Sequence, residues 1–203
     1  MKIDVEWAGQ VDYLAAWDCQ KALVAERIER PETPGKFLLL EHPPTYTLGR
    51  NGRLANLLLS EAELTERGIA FYHVDRGGDI TYHGPGQLVG YPILSLKQVY
   101  VQQGLGLVQR YVTDLEEMMI RTLAEFGIVG QRFEGHRGVW VETANGLDKI
   151  AAVGVRIQKD GLTSHGFALN VNPDLAYFNN IIPCGIRDHG VASMAQLLAQ
   201  PIS

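Results

Sequence analysis

Cys184 lies in Ile181-Ile182-Pro183-Cys184-Gly185-Ile186. A proline fixes φ just before it, and a glycine just after leaves its backbone amide region open, a setting that suits a thiol held at the lip of a pocket. The plain alternative is a buried structural thiol acting as a small hydrophobe. A thiol attacks only as the thiolate. With an ordinary pKa near ~8.5, Cys184 needs a basic or positive neighbour to react at neutral pH. His83, His165, His189 and Lys149 are the candidates. Histidine is the commoner partner. Lys149 opens the otherwise apolar run Ile150-Ala151-Ala152-Val153-Gly154-Val155. Burial there would lower its pKa toward that of a base, whereas a lysine with its ammonium in water would be inert.

A second group of residues offers a surface for the chemistry. Arg76-Gly77-Gly78-Asp79-Ile80-Thr81-Tyr82-His83-Gly84-Pro85-Gly86-Gln87 holds four glycines and a proline between two apolar runs, Ile69–Val74 and Leu88–Leu94. So many glycines mean either tightly bulged strands or a small-molecule site floored by backbone. Gly166 lies within Ser164-His165-Gly166-Phe167-Ala168-Leu169-Asn170 and again implies close approach of a ligand or another backbone. With Ala151–Gly154 opposite, these residues could line a narrow apolar slot. A straight acyl chain would gain ~0.8 kcal/mol per CH₂ buried there. No Cys/His cluster has zinc spacing, and neither a phosphate loop nor a dinucleotide fingerprint occurs.

The surrounding elements follow from periodicity and turn residues. A helix is predicted over 10–29, with Val11, Leu14, Ala15, Ala22, Ala25 and Ile28 as its apolar stripe and Cys19 as a packing residue. Phe37–Leu40 and Thr45–Leu48 read as strands, separated by the extended turn Glu41-His42-Pro43-Pro44, and Gly49–Arg53 reads as a basic loop. Ser60-Glu61-Ala62-Glu63 is a capping box for a short helix closed by Gly68. A longer helix is expected over roughly 104–126, buried through Leu107, Tyr111, Leu115, Met118, Met119 and Leu123. The second half reads as a β-meander: Gly138–Glu142, Lys149–Ile157 and Leu162–Val171, with turns at Asn145-Gly146 and Asp160-Gly161. A short helix over 191–199 completes it. The pattern favours a mixed sheet flanked by helices, in the α/β or α+β class, over a doubly wound one.

The bulk numbers fit one domain spanning 1–203. A net charge of −5 argues against general nucleic-acid binding. No apolar run nears the ~20 residues of a membrane span, and no signal-peptide pattern opens the chain. Two cysteines far apart fit a reducing cytoplasm.

Five blocks together resemble the lipoyl(octanoyl) transferase family: Arg76–Ile93, Glu41-His42-Pro43-Pro44 with Thr47-Leu48-Gly49, Lys149–Ile157, His165–Val171 and Pro183-Cys184-Gly185-Ile186. The resemblance runs from about residue 37 to 195. It implies a cytoplasmic enzyme with the mixed sheet shared by lipoate- and biotin-protein ligases. The enzyme would move an octanoyl or lipoyl group from acyl carrier protein to a lysine ε-amine on lipoyl domains of 2-oxoacid dehydrogenase complexes and the glycine cleavage H protein. The family's acyl-carrying cysteine falls on Cys184, and the lysine that activates it on Lys149. The acyl-binding positions fall on Arg76, Gly77, Gly78, Asp79, Ile80, Thr81, Tyr82 and His83, on Ala152, Val153 and Gly154, and on Gly166, Phe167 and Ala168, with His165 beside them. No cofactor and no metal are implied, nor any nucleic-acid or membrane partner, and a monomer is expected. The family's protein partners are acidic around the modified residue, so docking should use Arg50, Arg53, Arg76, Arg156 and Arg187.

Two other readings compete. An ATP-dependent ligase of the same fold would make an acyl-adenylate and have no use for a nucleophilic cysteine. A non-catalytic carrier would only shelter the acyl chain.

Overall fold

The structure, a computed structural model, describes residues 2–100, 106–182 and 189–202. It opens on a strand absent from the sequence reading, β1 (Ile3–Gln10), which runs parallel to β2 (Gly35–Glu41). β1 is at the sheet edge with Ile3, Val5 and Trp7 exposed, so its alternating pattern faces solvent on the apolar side.

Between them runs α1 (Tyr13–Glu29), whose first turn is capped by the Asp12 carboxylate accepting from the Leu14 and Ala15 amides. The helix is where it was expected, but its buried face is not. Tyr13, Ala16, Gln20, Val24 and Arg27 point inward, whereas Leu14, Ala22, Ala25 and Ile28 are exposed. Both stripes satisfy a 3.6-residue period; polar residues with specific partners decide between them. Gln20 accepts from the His165 amide at 2.7 Å, and Arg27 donates to the Thr33 carbonyl and to Gln98. Cys19 is exposed and is not a packing residue.

Beyond β2 the chain builds a small separate sheet from β3 (Thr45–Leu48), β4 (Ala70–His73) and β5 (Ile80–His83), in the order β4-β3-β5. β5 lies inside the glycine-rich stretch, which was expected to be a connection between strands. The capping box at Ser60 and Glu63 starts α2 (Glu61–Glu66) as its sequence requires.

The remaining elements are β6 (Gln87–Ile93), α3 (Leu96–Val99), α4 (Leu107–Glu125), β7 (Gln131–Phe133), β8 (His136–Thr143), β9 (Gly146–Ile157), β10 (Thr163–Asn170) and α5 (Met194–Leu198). With β1 and β2 they complete a seven-stranded sheet ordered β1-β2-β6-β10-β9-β8-β7. Only β1–β2 is parallel in it, so the sheet is mixed and its β8-β9-β10 portion is the expected meander.

The two long helices cover opposite faces of this sheet. Ala16 of α1 packs with Leu38, Leu40, Val89, Tyr91 and Ala168. Tyr111, Leu115, Met119 and Leu123 of α4 pack with Val139, Ile150, Phe167 and Leu169, with Phe37 and Leu39 at the margin. Alternate residues of β2 and β10 therefore serve the two cores, as a strand's two-residue period demands. Among the described residues, no helix is long and apolar enough to cross a membrane.

Candidate active site

A cavity of about 580 Å³ opens where β5 and the glycine-rich loop lie against β9 and β10. Arg76, Gly77, Gly78, Asp79, Ile80, Thr81 and His83 form one wall; Lys149, Ala152, Val153, Gly154, His165, Gly166, Phe167 and Ala168 form the facing one. Residues nearly ninety positions apart are thus brought to one space. Tyr82 does not line it; its ring turns away and stacks on Tyr177 at 4.6 Å.

Backbone contacts hold the loop in place. The Gly77 amide donates to the Val155 carbonyl at 2.9 Å, pinning the loop to β9. Gly154 leaves the room this needs, because a Cβ there would stand 3.1 Å from both the Gly77 carbonyl oxygen and Arg76 Cδ. Asp79 braces the other side: its carboxylate accepts from the Ile80 and Arg53 amides and from Asn56 Nδ2. Arg76 is buried and donates to the Thr47 carbonyl and hydroxyl at 2.7 and 2.9 Å, and to the Gly77 carbonyl. It is a strut of the wall, and the docking role expected of it does not fit a buried guanidinium. Arg156 is also engaged, in an ion pair with Asp75.

His83 and His165 on the cavity wall, and the nearby His42, are held neutral. His83 Nδ1 lies 2.8 Å from Gln87 Oε1. The Gln87 amide nitrogen is already committed to the Tyr82 carbonyl and Asn170 Oδ1. His83 Nδ1 must therefore donate, which leaves Nε2 as an acceptor. Burial and the nearby His42 and Arg76 push its pKa well below the ordinary value. His42 donates from Nδ1 to the Val11 carbonyl and accepts from the Tyr91 hydroxyl; burial lowers its pKa to about 4. His165 takes a left-handed backbone, φ 55°, unusual for a non-glycine inside a strand. Its Nε2 lies 2.8 Å from Asp75 Oδ1, and burial with the charge of Arg76 brings its pKa down to about 3. Tyr13 is raised to about 12 by burial, against the pull of Arg76.

Lys149 sits inside β9, not at its start, opposite Trp140 of β8. Its amide donates to the Gly190 carbonyl and its carbonyl accepts from the Ala192 amide, both at 3.0 Å. Its Nζ stands 4.7 Å above the Trp140 ring. Of the other bases considered, His83 and His165 are neutral and deeply buried, and His189 Nδ1 is bonded to the Leu147 carbonyl. Cys184, Arg187 and the rest of 183–188 lie outside the described residues.

Tyr13, Tyr91 and His136 also line the cavity and were not singled out from sequence; Gln87 and Asn170 line it too, at the ends of the two stretches read as its walls. Nothing in the pattern around Tyr13 or Tyr91 marks them.

The volume falls within the ~300–1,000 Å³ of small-molecule pockets, and its walls mix apolar side chains with exposed backbone. The Lys149 side chain and the neutral imidazoles of His83 and His165 border it. Such a cavity on a mixed sheet defines a small-molecule-binding α/β domain. Residues 12–203 match the family described as the lipoyl protein ligase A/B catalytic domain, and the chain belongs to that family.

Two curated relatives are named octanoyltransferase. The protein from Chloroflexus aurantiacus is 51% identical over 198 residues, covering 98% of this chain and 85% of its own. That from Cytophaga hutchinsonii is 47% identical over 213 residues, with the same coverages of 98% and 85%. Among solved structures, the bipartite lipoate protein ligase of Thermoplasma acidophilum superposes with a TM-score of 0.70 at 16% identity, covering 100% of this chain and 78% of that one. A lipoate-protein ligase A bound with ATP superposes with a TM-score of 0.66 at 16% identity, covering 99% and 78%. The expected fold, a mixed sheet flanked by helices as in the lipoate-protein ligases, is the one found.

Proposed function

We propose that this protein is an octanoyltransferase that supplies the acyl group for protein lipoylation, working through a thioester on Cys184. The observation that carries this reading is the cavity of about 580 Å³ shared by the glycine-rich loop, Ala152–Gly154, His165–Ala168 and Lys149. The relatives named octanoyltransferase, alike over nearly the whole chain, support it.

In this reading the donor is an octanoyl thioester of acyl carrier protein. Lys149 accepts the Cys184 thiol proton, and the thiolate sulfur attacks the octanoyl carbonyl carbon. The carbon–sulfur bond to the donor then breaks, and the leaving thiolate takes a proton back from Lys149. The cavity wall keeps water from the waiting thioester. An acceptor lysine amine next attacks the same carbonyl, losing a proton to Lys149, and an amide forms as the Cys184 thiol is restored. Exchange between thioesters is nearly isoenergetic and aminolysis is downhill, so neither step calls for ATP. The buried guanidinium of Arg76 lends the cavity a positive potential that favours thiolate and oxyanion. Gly190, which holds the Lys149 amide, follows Cys184 by six residues in the sequence.

The acceptors are lipoyl domains, as found in 2-oxoacid dehydrogenase complexes and the glycine cleavage H protein. The 203-residue chain acts as one catalytic domain, as a monomer in the cytoplasm.

Intact-mass spectrometry after incubation with an octanoyl thioester tests this. An octanoyl adduct mapped to Cys184, formed without ATP and absent in Cys184→Ser, is expected. An absolute need for ATP would replace the reading with a ligase.

A further inference from the structure

We propose that Trp140 is a positioning residue that seats the Lys149 ammonium on its indole face and so fixes where the amine stands against the cavity. This rests on the reading of Lys149 as the proton carrier for Cys184. Trp140 and Lys149 are cross-strand partners on β8 and β9, and Nζ lies 4.7 Å from the ring centroid. An ammonium over an indole face is attracted by the ring's quadrupole, most strongly where water is excluded. Trp140 is 1% exposed.

The indole is itself held. Its Nε1–H donates to the His136 carbonyl, and the rings of Phe133, His136 and His189 meet it at steep angles, 5.3, 5.8 and 5.4 Å away. The pairing of β8 with β9 shifts register between Val139 and Trp140. Gly138 makes this possible: its φ is 107°, and a Cβ there would strike the Ala151 carbonyl oxygen at 2.3 Å. The buried Glu116 carboxylate of α4 accepts from the Gly138 amide at 2.9 Å, fixing the shift that puts Trp140 opposite Lys149.

Among the described residues, the ionisable groups near the pair include His136 and Arg137 on β8, Asp148 beside Lys149 on β9, and His189. Asp148 is occupied by the Gly190 amide and the Thr143 hydroxyl. Weakening the indole face makes the ammonium less stable, and the thiolate it would pair with forms only at higher pH.

The test uses full-length protein carrying Trp7→Phe, Trp17→Phe and Cys19→Ser, which leaves one tryptophan and one cysteine. Tryptophan, 5-fluoro-, difluoro- and trifluorotryptophan are built in at position 140, and thermal melting verifies folding. Fluorination drains the ring face with little change of shape and leaves every neighbouring ionisable group in place. The pH midpoint of Cys184 alkylation by iodoacetamide is expected to climb stepwise, by about one unit across the series. kcat/KM for an octanoyl thioester near neutral pH should fall about 10-fold, mainly in kcat. Trp140→Phe should land between tryptophan and Trp140→Leu. A flat series, with Lys149→Ala still moving the midpoint, overturns the role of Trp140 alone. If Lys149→Ala also leaves the midpoint unmoved, the reading of Lys149 fails and this one with it.

Discussion

Gly154 and Gly166 stand directly opposite each other across β9 and β10, and each leaves room for protein packed from elsewhere. A Cβ on Gly166 would lie 2.1 Å from the Gly90 carbonyl oxygen and 2.7 Å from Pro92 Cδ, inside the sheet itself. On Gly154 it would lie 3.1 Å from the loop that walls the cavity. The two glycines let β6 close on one side and the glycine-rich loop on the other. The sequence left open whether a ligand or another backbone needed the room; at Gly166 the β6 backbone fills it, and at Gly154 the Gly77 carbonyl and the Arg76 side chain do.

Gly166→Ala should therefore act on folding. Backbone on β6 cannot give way by the ångström required, so a loss of about 2–4 kcal/mol is expected in urea unfolding. Gly154→Ala meets Arg76 Cδ and the Gly77 carbonyl oxygen at 3.1 Å, a distance that a few tenths of an ångström relieves. It should cost under about 1.5 kcal/mol yet displace the Arg76–Asp79 wall and raise KM for the acyl donor. Equal stability losses in the two variants would contradict this assignment.

Stability should depend on pH through the buried imidazoles. His42 and His165 titrate at about 4 and about 3, and His83 well below its ordinary value, because burial disfavours their charged forms. Unfolding returns each to near 6.5. Below that pH the unfolded chain binds protons that the folded one refuses, so unfolding becomes easier as pH falls. Each histidine should contribute a slope of about 1.4 kcal/mol per pH unit between pH 6 and the folded value. Urea midpoints between pH 7.5 and 5 measure this. Constant stability over that range would show that the imidazoles are not buried neutral.

Asp75 accepts from His165 and pairs with Arg156. Asp75→Ala removes the acceptor that fixes the His165 tautomer, at a cost of about 1–3 kcal/mol. Nitrogen-15 NMR of the His165 ring should show loss of the single Nε2–H tautomer. An unaltered ring spectrum would mean that Asp75 does not set it.

Docking of an acidic protein substrate should fall to arginines other than Arg76. Arg50 and Arg53 are exposed on the loop after β3, whereas Arg76 is buried and Arg156 already paired. Arg50→Glu with Arg53→Glu should lower kcat/KM for a protein-borne octanoyl thioester several-fold at low salt, and less at high salt. Turnover of a small octanoyl thioester should not change. Equal losses on both substrates would place these residues in folding or chemistry instead.

The sequence by itself determined most of the elements and pointed to many of the residues that line the cavity. Capping at Ser60, the Asn145-Gly146 and Asp160-Gly161 hairpins, the α4 stripe and the β8-β9-β10 meander are local signals, set by propensities that act over a few residues. The glycine-rich stretch, Lys149, Gly154 and Gly166 stood out because their residue types are costly or unusual in apolar strands. Choices that depend on distant partners were left to the tertiary structure. Which stripe of α1 is buried was decided by Gln20 meeting His165 and Arg27 meeting Thr33 and Gln98, contacts that periodicity cannot contain. β1 and β5 gain their identity from pairing with β2 and β3. Arg76 became a strut when Thr47 was folded against it, and Trp140 came under Lys149 only because a register shift at Gly138 put it there. Residue type names the chemistry available; long-range packing and hydrogen bonding decide which atoms share a space.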